Sequence, residues 1–343
     1  MYRACILGVG PRAYRHAEAY AKVKRGELVA CCNLSNVERR ERFAERFGVK
    51  AYASLEEMVR HEKPDLVHVV TSPLYRVELL TAVSELGVPA CLVEKPIAYQ
   101  VRDWGQLVAL EATSACKIGV GAQIRYHPNL MRCQQVVNSG ELGEVLFIDC
   151  SARMTICNQG VHVIDWAMSL NGDAPPVRVF GLAGGANDMA SPDHPSPDTS
   201  SGQLVFANGV RALWNLGHTA PKALDDDAIY KHCRVAAYCE RGRTLYEEFN
   251  RWQIVRGDAL EEGRVVGDAI NDTNDQAQAN LTDAMFDWIE DDTRPVGTNL
   301  ARSLLQWNAI LGLYASTVER RPIDLPFQPS DDLWEQLGKA LGA

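Results

Sequence analysis

An apolar run at residues 4–7 leads straight into Gly8-Val9-Gly10-Pro11-Arg12-Ala13, and a helical pattern with Ala13, Ala17, Tyr20 and Ala21 on one face follows at once. Strand, glycine turn and helix in that order are the context a dinucleotide-binding turn requires. Gly8 permits the tight turn, Gly10 lets backbone approach a pyrophosphate, and Ala13 still allows a helix to pack closely on the sheet. Free N–H groups at the helix N-terminus would receive the phosphate. Pro11 suits that first turn because its missing N–H would have no partner there. The G-x-G-x-x-A spacing is weak alone; its context is what constrains the fold.

The same rhythm continues. Residues 28–32 read as a second strand and 37–47 as a helix with Val37, Ala44 and Phe47 inward. After a short strand at 50–52, Ser54-Leu55-Glu56-Glu57 opens a capped helix. Residues 66–70 form a buried strand that contains His68, most simply a core histidine, and ends at Thr71-Ser72-Pro73. A helix at 75–86 leads into Val-Pro-Ala-Cys-Leu-Val-Glu-Lys-Pro at 88–96, an apolar strand stopped by Pro96. That places Glu94 and Lys95 at the carboxyl end of a buried strand, the edge where ligands bind in open α/β sheets. Taken alone, the same residues also describe a surface lysine beside a glutamate in a turn. A further helix and a sixth strand at 117–122 complete a doubly wound parallel sheet, a Rossmann domain over residues 1–122.

Residues 123–343 have a different texture. A helix at 128–137 is followed by strands at 145–153, 178–183, 203–206, 211–215 and 234–238, separated by turn clusters such as Ala207-Asn208-Gly209. This predicts an α+β domain with a large, mostly antiparallel open sheet. The Pro-, Ser- and Asp-rich segment 188–201 reads as a loop. Two amphipathic helices follow, one through Ala277, Leu281, Ala284 and Trp288, the other through Leu300, Leu304, Trp307, Leu311 and Tyr314.

Composition narrows the classes. Hydrophobic residues are 46% and charged residues 23%, as in globular chains. The formal charge is −9 with no basic run, which argues against nucleic acid. No apolar stretch is long enough to span a bilayer, and the N-terminus reads as a strand rather than an export signal. The ten cysteines contain no C-x-x-C pair and offer no metal site. Several lie inside apolar runs, so they are expected as reduced thiols in the cytoplasm.

Asn33 closes the second strand, where an acid would bind the ribose hydroxyls of NAD. Ser35, Asn36, Arg39 and Arg40 follow, and hydroxyl and guanidinium groups favour a 2′-phosphate. The cofactor expectation is therefore NADP or NAD, leaning to NADP; Ser35 or Asn36 could equally serve as a helix cap. In the second half, His162, Asp165 and Ser169 stand at i, i+3 and i+7 on one helical face. A histidine there can carry a proton, although the spacing suits a structural histidine as well. No G-x-S-x-G elbow supports acyl transfer.

With these residues in place, the chain resembles the glucose–fructose oxidoreductase/inositol dehydrogenase (Gfo/Idh/MocA) family. The resemblance rests on Gly8-Val9-Gly10, Glu94-Lys95-Pro96, Gln123-Ile124-Arg125-Tyr126, Gly160-Val161-His162-Val163-Ile164-Asp165, and the ending Glu319-Arg320-Arg321-Pro322-Ile323-Asp324-Leu325-Pro326. It implies NAD(P)-dependent hydride transfer with a sugar- or cyclitol-like alcohol or ketone, with Lys95 and His162 as catalytic residues. Asp165, Asn158, Arg125 and Tyr126 are implied as substrate-binding. Gly8, Gly10, Pro11, Arg12, Asn33, Ser35, Arg39, Thr71, Ser72, Pro73, Glu94 and Lys95 are expected around the cofactor. A homodimer or homotetramer through the second domain's sheet is implied as well. Three departures stand out: Asn158 where the family often has Asp, Tyr75-Arg76 where it often has His, and a short stretch between Cys150 and His162. They leave two alternatives, an inactive dinucleotide-binding regulator and a redox-assisted glycosidase or lyase.

Overall fold

Strands β1 (Tyr2–Leu7), β2 (Gly26–Cys32), β3 (Lys50–Tyr52), β4 (Leu66–Val69), β5 (Ala90–Glu94) and β6 (Lys117–Gly121) pair in parallel, in the order β3-β2-β1-β4-β5-β6. The order reverses between β1 and β4, which opens a crevice at their carboxyl ends. The computed structural model describes residues 1–192, 194–264 and 269–342. The sheet belongs to the first of two units, residues 1–98, 103–126 and 272–303. Helices α1 (Pro11–Glu18), α2 (Val37–Phe47), α3 (Leu55–Glu62), α4 (Arg76–Glu85) and α5 (Asp103–Thr113) connect the strands. β4 and β5 are buried along their whole length, as a sheet covered on both faces requires.

Local chemistry explains the helix ends. Asn36 accepts from the Arg39 N–H to cap α2, Ser54 accepts from the Glu57 N–H to cap α3, and Gly48 closes α2 at φ 65°. One expectation needs correcting. Val37 is 58% exposed, and the inward face of α2 is Phe43 and Ala44. Phe43 and Phe47 pack on Tyr14, so the last turns of the helix carry the burial and the first does not.

The second unit comprises residues 99–102, 127–271 and 304–343. Helices α6 (Pro128–Asn138) and α7 (Val161–Leu170) lie in it with β7 (Val145–Ala152), β8 (Pro176–Gly184), β9 (Thr199–Phe206), β10 (Arg211–Gly217), β11 (Cys233–Cys239), β12 (Gly242–Glu247), β13 (Arg251–Arg256), β14 (Ala259–Arg264) and β15 (Ile323–Asp324). These form a nine-stranded sheet in the order β14-β13-β12-β11-β7-β10-β9-β8-β15, antiparallel except for the β7–β10 pair. One face carries exposed Phe180, Leu182, Leu213 and Tyr238. Helix α7 lies on this sheet with all ten residues buried.

Helix α8 (Ala269–Glu290) then carries the chain back to the first unit. Leu281, Met285, Phe286 and Val296 join Ala4, Leu66, Ala90 and Leu92 in one apolar cluster, and Phe286 stacks on Tyr2 at 4.6 Å. Helix α9 (Leu300–Glu319) enters the second unit from Leu304, and α10 (Leu333–Leu341) follows. All ten cysteines are buried, and none is in a disulfide. Among the described residues no helix is long and apolar enough to cross a membrane, and no group of three or more His, Cys, Asp or Glu could hold a metal ion.

His127 sits at the start of the second unit, 1% exposed, with its Nδ1 accepting from the Asn129 N–H at 3.2 Å. Burial pushes its pKa down to about 4. The folded value lies below the unfolded one, so its contribution to stability is complete above about pH 6.5 and drains away as the pH falls towards 4. In His127→Asn the new side chain can accept the same N–H. Denaturant titrations at pH 7 and pH 4.5 should show the wild type losing about 2–3 kcal/mol more than this variant.

Candidate cofactor and active site

The turn from β1 to α1 uses its two glycines differently. Gly8 has φ +98°, and a Cβ there would stand 2.2 Å from the Val70 carbonyl oxygen at the end of β4. This glycine closes the sheet. A Cβ at Gly10 would meet nothing within 4 Å, so the backbone there faces open space. Gly10 is the N-cap of α1 and Pro11 its first residue, with no side chain capping the helix. The N–H groups of that first turn are thus left to a ligand. Thr71, next to Gly8, has a buried Oγ1 with no hydrogen-bond partner. Ser72 accepts from the Leu74 N–H, and Pro73 opens a single 3₁₀ turn. An open glycine, an uncapped helix start and an orphaned hydroxyl fit the phosphates and adjoining ribose of a dinucleotide.

At the carboxyl end of β2, Asn33 Oδ1 accepts from the Asn36 N–H at 2.8 Å, and Asn36 accepts from the Arg39 N–H at 2.9 Å. Asn33 and Asn36 therefore shape the turn. Ser35 and the Arg39 side chain are exposed beside it, and Arg39 makes no ion pair among the described residues. Arg40 is occupied with Glu41 and the Asn33 carbonyl.

Glu94 is the best-connected group at this edge. Its Oε1 receives Arg12 Nε at 3.0 Å and His16 Nε2 at 2.8 Å, and a Cβ at Gly121 would stand 3.0 Å from it. Burial alone would push its carboxyl up; the Arg12 guanidinium, the His16 hydrogen bond and the Lys95 ammonium outweigh that and hold it far below the usual range. Arg12, expected around the cofactor, also reaches Gln278 Oε1 at 3.3 Å and is committed to this cluster. Behind His16, its Nδ1 lies 3.1 Å from His68 Nδ1, and His68 Nε2 lies 2.7 Å from the Tyr20 hydroxyl. Burial pushes both imidazoles down. His68 is thus a satisfied core histidine, as expected. His16 was legible only as a further position of the stripe through Ala13, Ala17 and Tyr20. Lys95 follows, partly exposed, in a cis peptide bond to Pro96. Arg76 is fully buried and donates to the Pro96 carbonyl at 3.4 Å, bracing this turn from inside.

Arg125 and Tyr126 lie in a 3₁₀ turn after β6. Gly297 makes room for the Arg125 guanidinium, 2.4 Å from where a Cβ would stand, and the Tyr126 hydroxyl accepts from the Gly297 N–H at 2.8 Å. In the second unit, Asn158 lies in a π-helical turn, Ile156–Gly160, that leads into α7. Such turns recur at functional sites because they re-aim side chains. His162 and Asp165 are 6% and 7% exposed, and Ser169 donates to the Trp166 carbonyl and accepts from Gln134, a packing role. Asn158 borders a cavity of ≈ 350 Å³ that is also lined by Arg153, Thr155, His194 and His218.

The two glycines make a paired prediction. Gly8→Ala should cost about 2–4 kcal/mol in a denaturation experiment, from the Val70 clash and the positive φ. Gly10→Ala should keep the wild-type melting temperature yet weaken dinucleotide binding roughly tenfold in calorimetry, because the methyl group fills the space the phosphates need.

Comparison with known proteins bears on the fold and on the first 122 residues. Residues 2–122 match the family described as oxidoreductase family, NAD-binding Rossmann fold, the Gfo/Idh/MocA type. A curated relative, the uncharacterized oxidoreductase ORF334 of Rhizobium meliloti, is 28% identical over 120 residues, which is 35% of this chain and 35% of its own length. An Agrobacterium radiobacter oxidoreductase, solved with NAD+, L-tartaric acid and magnesium, superimposes with a TM-score of 0.78 at 16% identity, covering 94% of this chain and 98% of its own. A myo-inositol dehydrogenase from Corynebacterium glutamicum gives 0.74 at 17% identity, covering 95% and 99%. The α/β fold is shared along nearly the whole chain, and residues 2–122 resemble the NAD-binding Rossmann fold of the Gfo/Idh/MocA oxidoreductases.

Proposed function

We propose that the protein is an NAD(P)-dependent dehydrogenase or reductase acting on the CH–OH or ketone group of a carbohydrate-like substrate. The observation that carries this is Lys95, set by β5 at the ligand edge of the sheet beside the fixed Glu94 carboxylate. The bound nicotinamide would supply the hydride chemistry. The backbone at Gly8 and Gly10, the first turn of α1 and the Thr71 hydroxyl bind the dinucleotide, with Asn33 and Ser72 shaping the neighbouring turns. Lys95 Nζ donates to the substrate oxygen and stabilises charge there. His162 takes the hydroxyl proton in oxidation and returns it in reduction. Asp165, Asn158 and Arg125 bind the remaining polar groups. Magnesium and L-tartaric acid are bound in the structure of the Agrobacterium protein.

Exposed Ser35 and Arg39 support NADP binding at least as tight as NAD. Ten buried thiols support a reducing cytoplasm. The exposed apolar face of Phe180, Leu182, Leu213 and Tyr238 supports a homo-oligomer through the second unit's sheet.

Lys95→Ala should retain dinucleotide binding and lose about 10²–10⁴-fold in turnover across a panel of sugars, polyols and hydroxy acids; unchanged turnover would sink the assignment. Tight binding with no turnover by the wild type would favour a regulator. Product without net change in nicotinamide absorbance would favour the redox-assisted lyase. For the cofactor, Arg39→Ala should weaken NADP but not NAD in calorimetric titration. Leu182→Glu should lower the mass measured by light scattering to that of a smaller assembly.

A further inference from the structure

The side chains behind Glu94 carry more information than their burial. An ionised carboxylate only accepts, and a neutral imidazole has one donor and one acceptor nitrogen. His16 Nε2, at 2.8 Å from Glu94, must therefore carry a hydrogen. A neutral His16 then has a bare Nδ1, which accepts from His68 Nδ1–H at 3.1 Å. That leaves His68 Nε2 bare to accept the Tyr20 hydroxyl at 2.7 Å. All three hydrogens point one way, from Tyr20 through His68 and His16 to Glu94. A cationic His16 would reverse the other two, but its side chain is 0% exposed and burial and Arg12 both oppose that charge.

We propose that His16 is a positioning residue: oriented by His68 and Tyr20, its Nε2–H, with Arg12, holds the Glu94 carboxylate fixed and charged beside Lys95. The groups around Glu94 are Arg12 and His16 on α1, Lys95 at the end of its own strand, His68 on β4 through His16, and Gly121 on β6. Three apolar side chains would fill the same space without the cost of satisfying buried polar groups. The polar chain gives a direction that an apolar core cannot.

The kinetic arm of the test rests on the dehydrogenase reading; the spectroscopic arm does not. In cofactor-free protein, nitrogen-15 spectra of the histidine rings should show His16 protonated at Nε2 and His68 at Nδ1 from pH 5.5 to 8. The opposite tautomer in either ring, or a cationic ring at pH 7, overturns the proposal. In His16→Leu kcat should fall about tenfold, while KM for the dinucleotide stays within about twofold. His16→Gln, whose amide nitrogen replaces Nε2, should restore kcat. An unmoved kcat in a folded His16→Leu, or His16→Gln behaving like His16→Leu, also overturns it. If His16→Leu fails to fold, Tyr20→Phe decides: Glu94 still dictates both tautomers, so unchanged rings support the chain and a reversed ring overturns it. Wild-type protein without turnover removes the dehydrogenase reading alone, and the ring spectra still judge His16.

Discussion

A carboxylate taken out of water at the end of a parallel strand persists only where donors are already waiting for it. Glu94 has two of them from one helix: Arg12 and His16 lie four residues apart on α1, so the spacing that builds a helical turn also brings both to one oxygen. Because α1 begins at Gly10, this interaction ties the glycine turn to the strand that ends in Lys95. Gly8 makes the other half of the constraint, since only a residue without a side chain lets β1 turn against the Val70 carbonyl. The candidate cofactor edge is therefore one mechanical piece.

How much of this was legible follows from range. Period-two and period-3.6 patterns are local, and the six parallel strands with their helices were readable from them, including the Asn36 and Ser54 caps. Lys95 was readable because Pro96 cuts an apolar run. β12, β13 and β14 were missed: Arg251, Gln253, Glu261 and Glu262 leave these strands too polar to stand out, and their ladder pairs hold them together. The fate of Arg76 was not legible either. Its sequence neighbours suggest a polar turn, and only the fold shows it buried under Pro96. His16 had a place in a stripe but no visible partner, since Glu94 lies 78 residues away along the chain.

The second unit divides its labour by faces. One face of its sheet receives α7, buried throughout, so that His162 and Asp165 hang from a helix with no freedom to roll. The π-helical turn before α7 brings Asn158 to the wall of a cavity with Arg153 and His218.

The return of residues 272–303 to the first unit bears on how the protein is made. Residues 1–126 contain every strand of the parallel sheet, yet Leu281, Met285, Phe286 and Val296 close the cluster over Ala4, Leu66, Ala90 and Leu92. On the ribosome, that surface stays uncovered until more than half of the chain has been added. At 5–20 residues per second this is a wait of roughly ten to thirty seconds between the last strand and its cover. The late segment acts as a lock on the nucleotide-binding domain that synthesis itself delays.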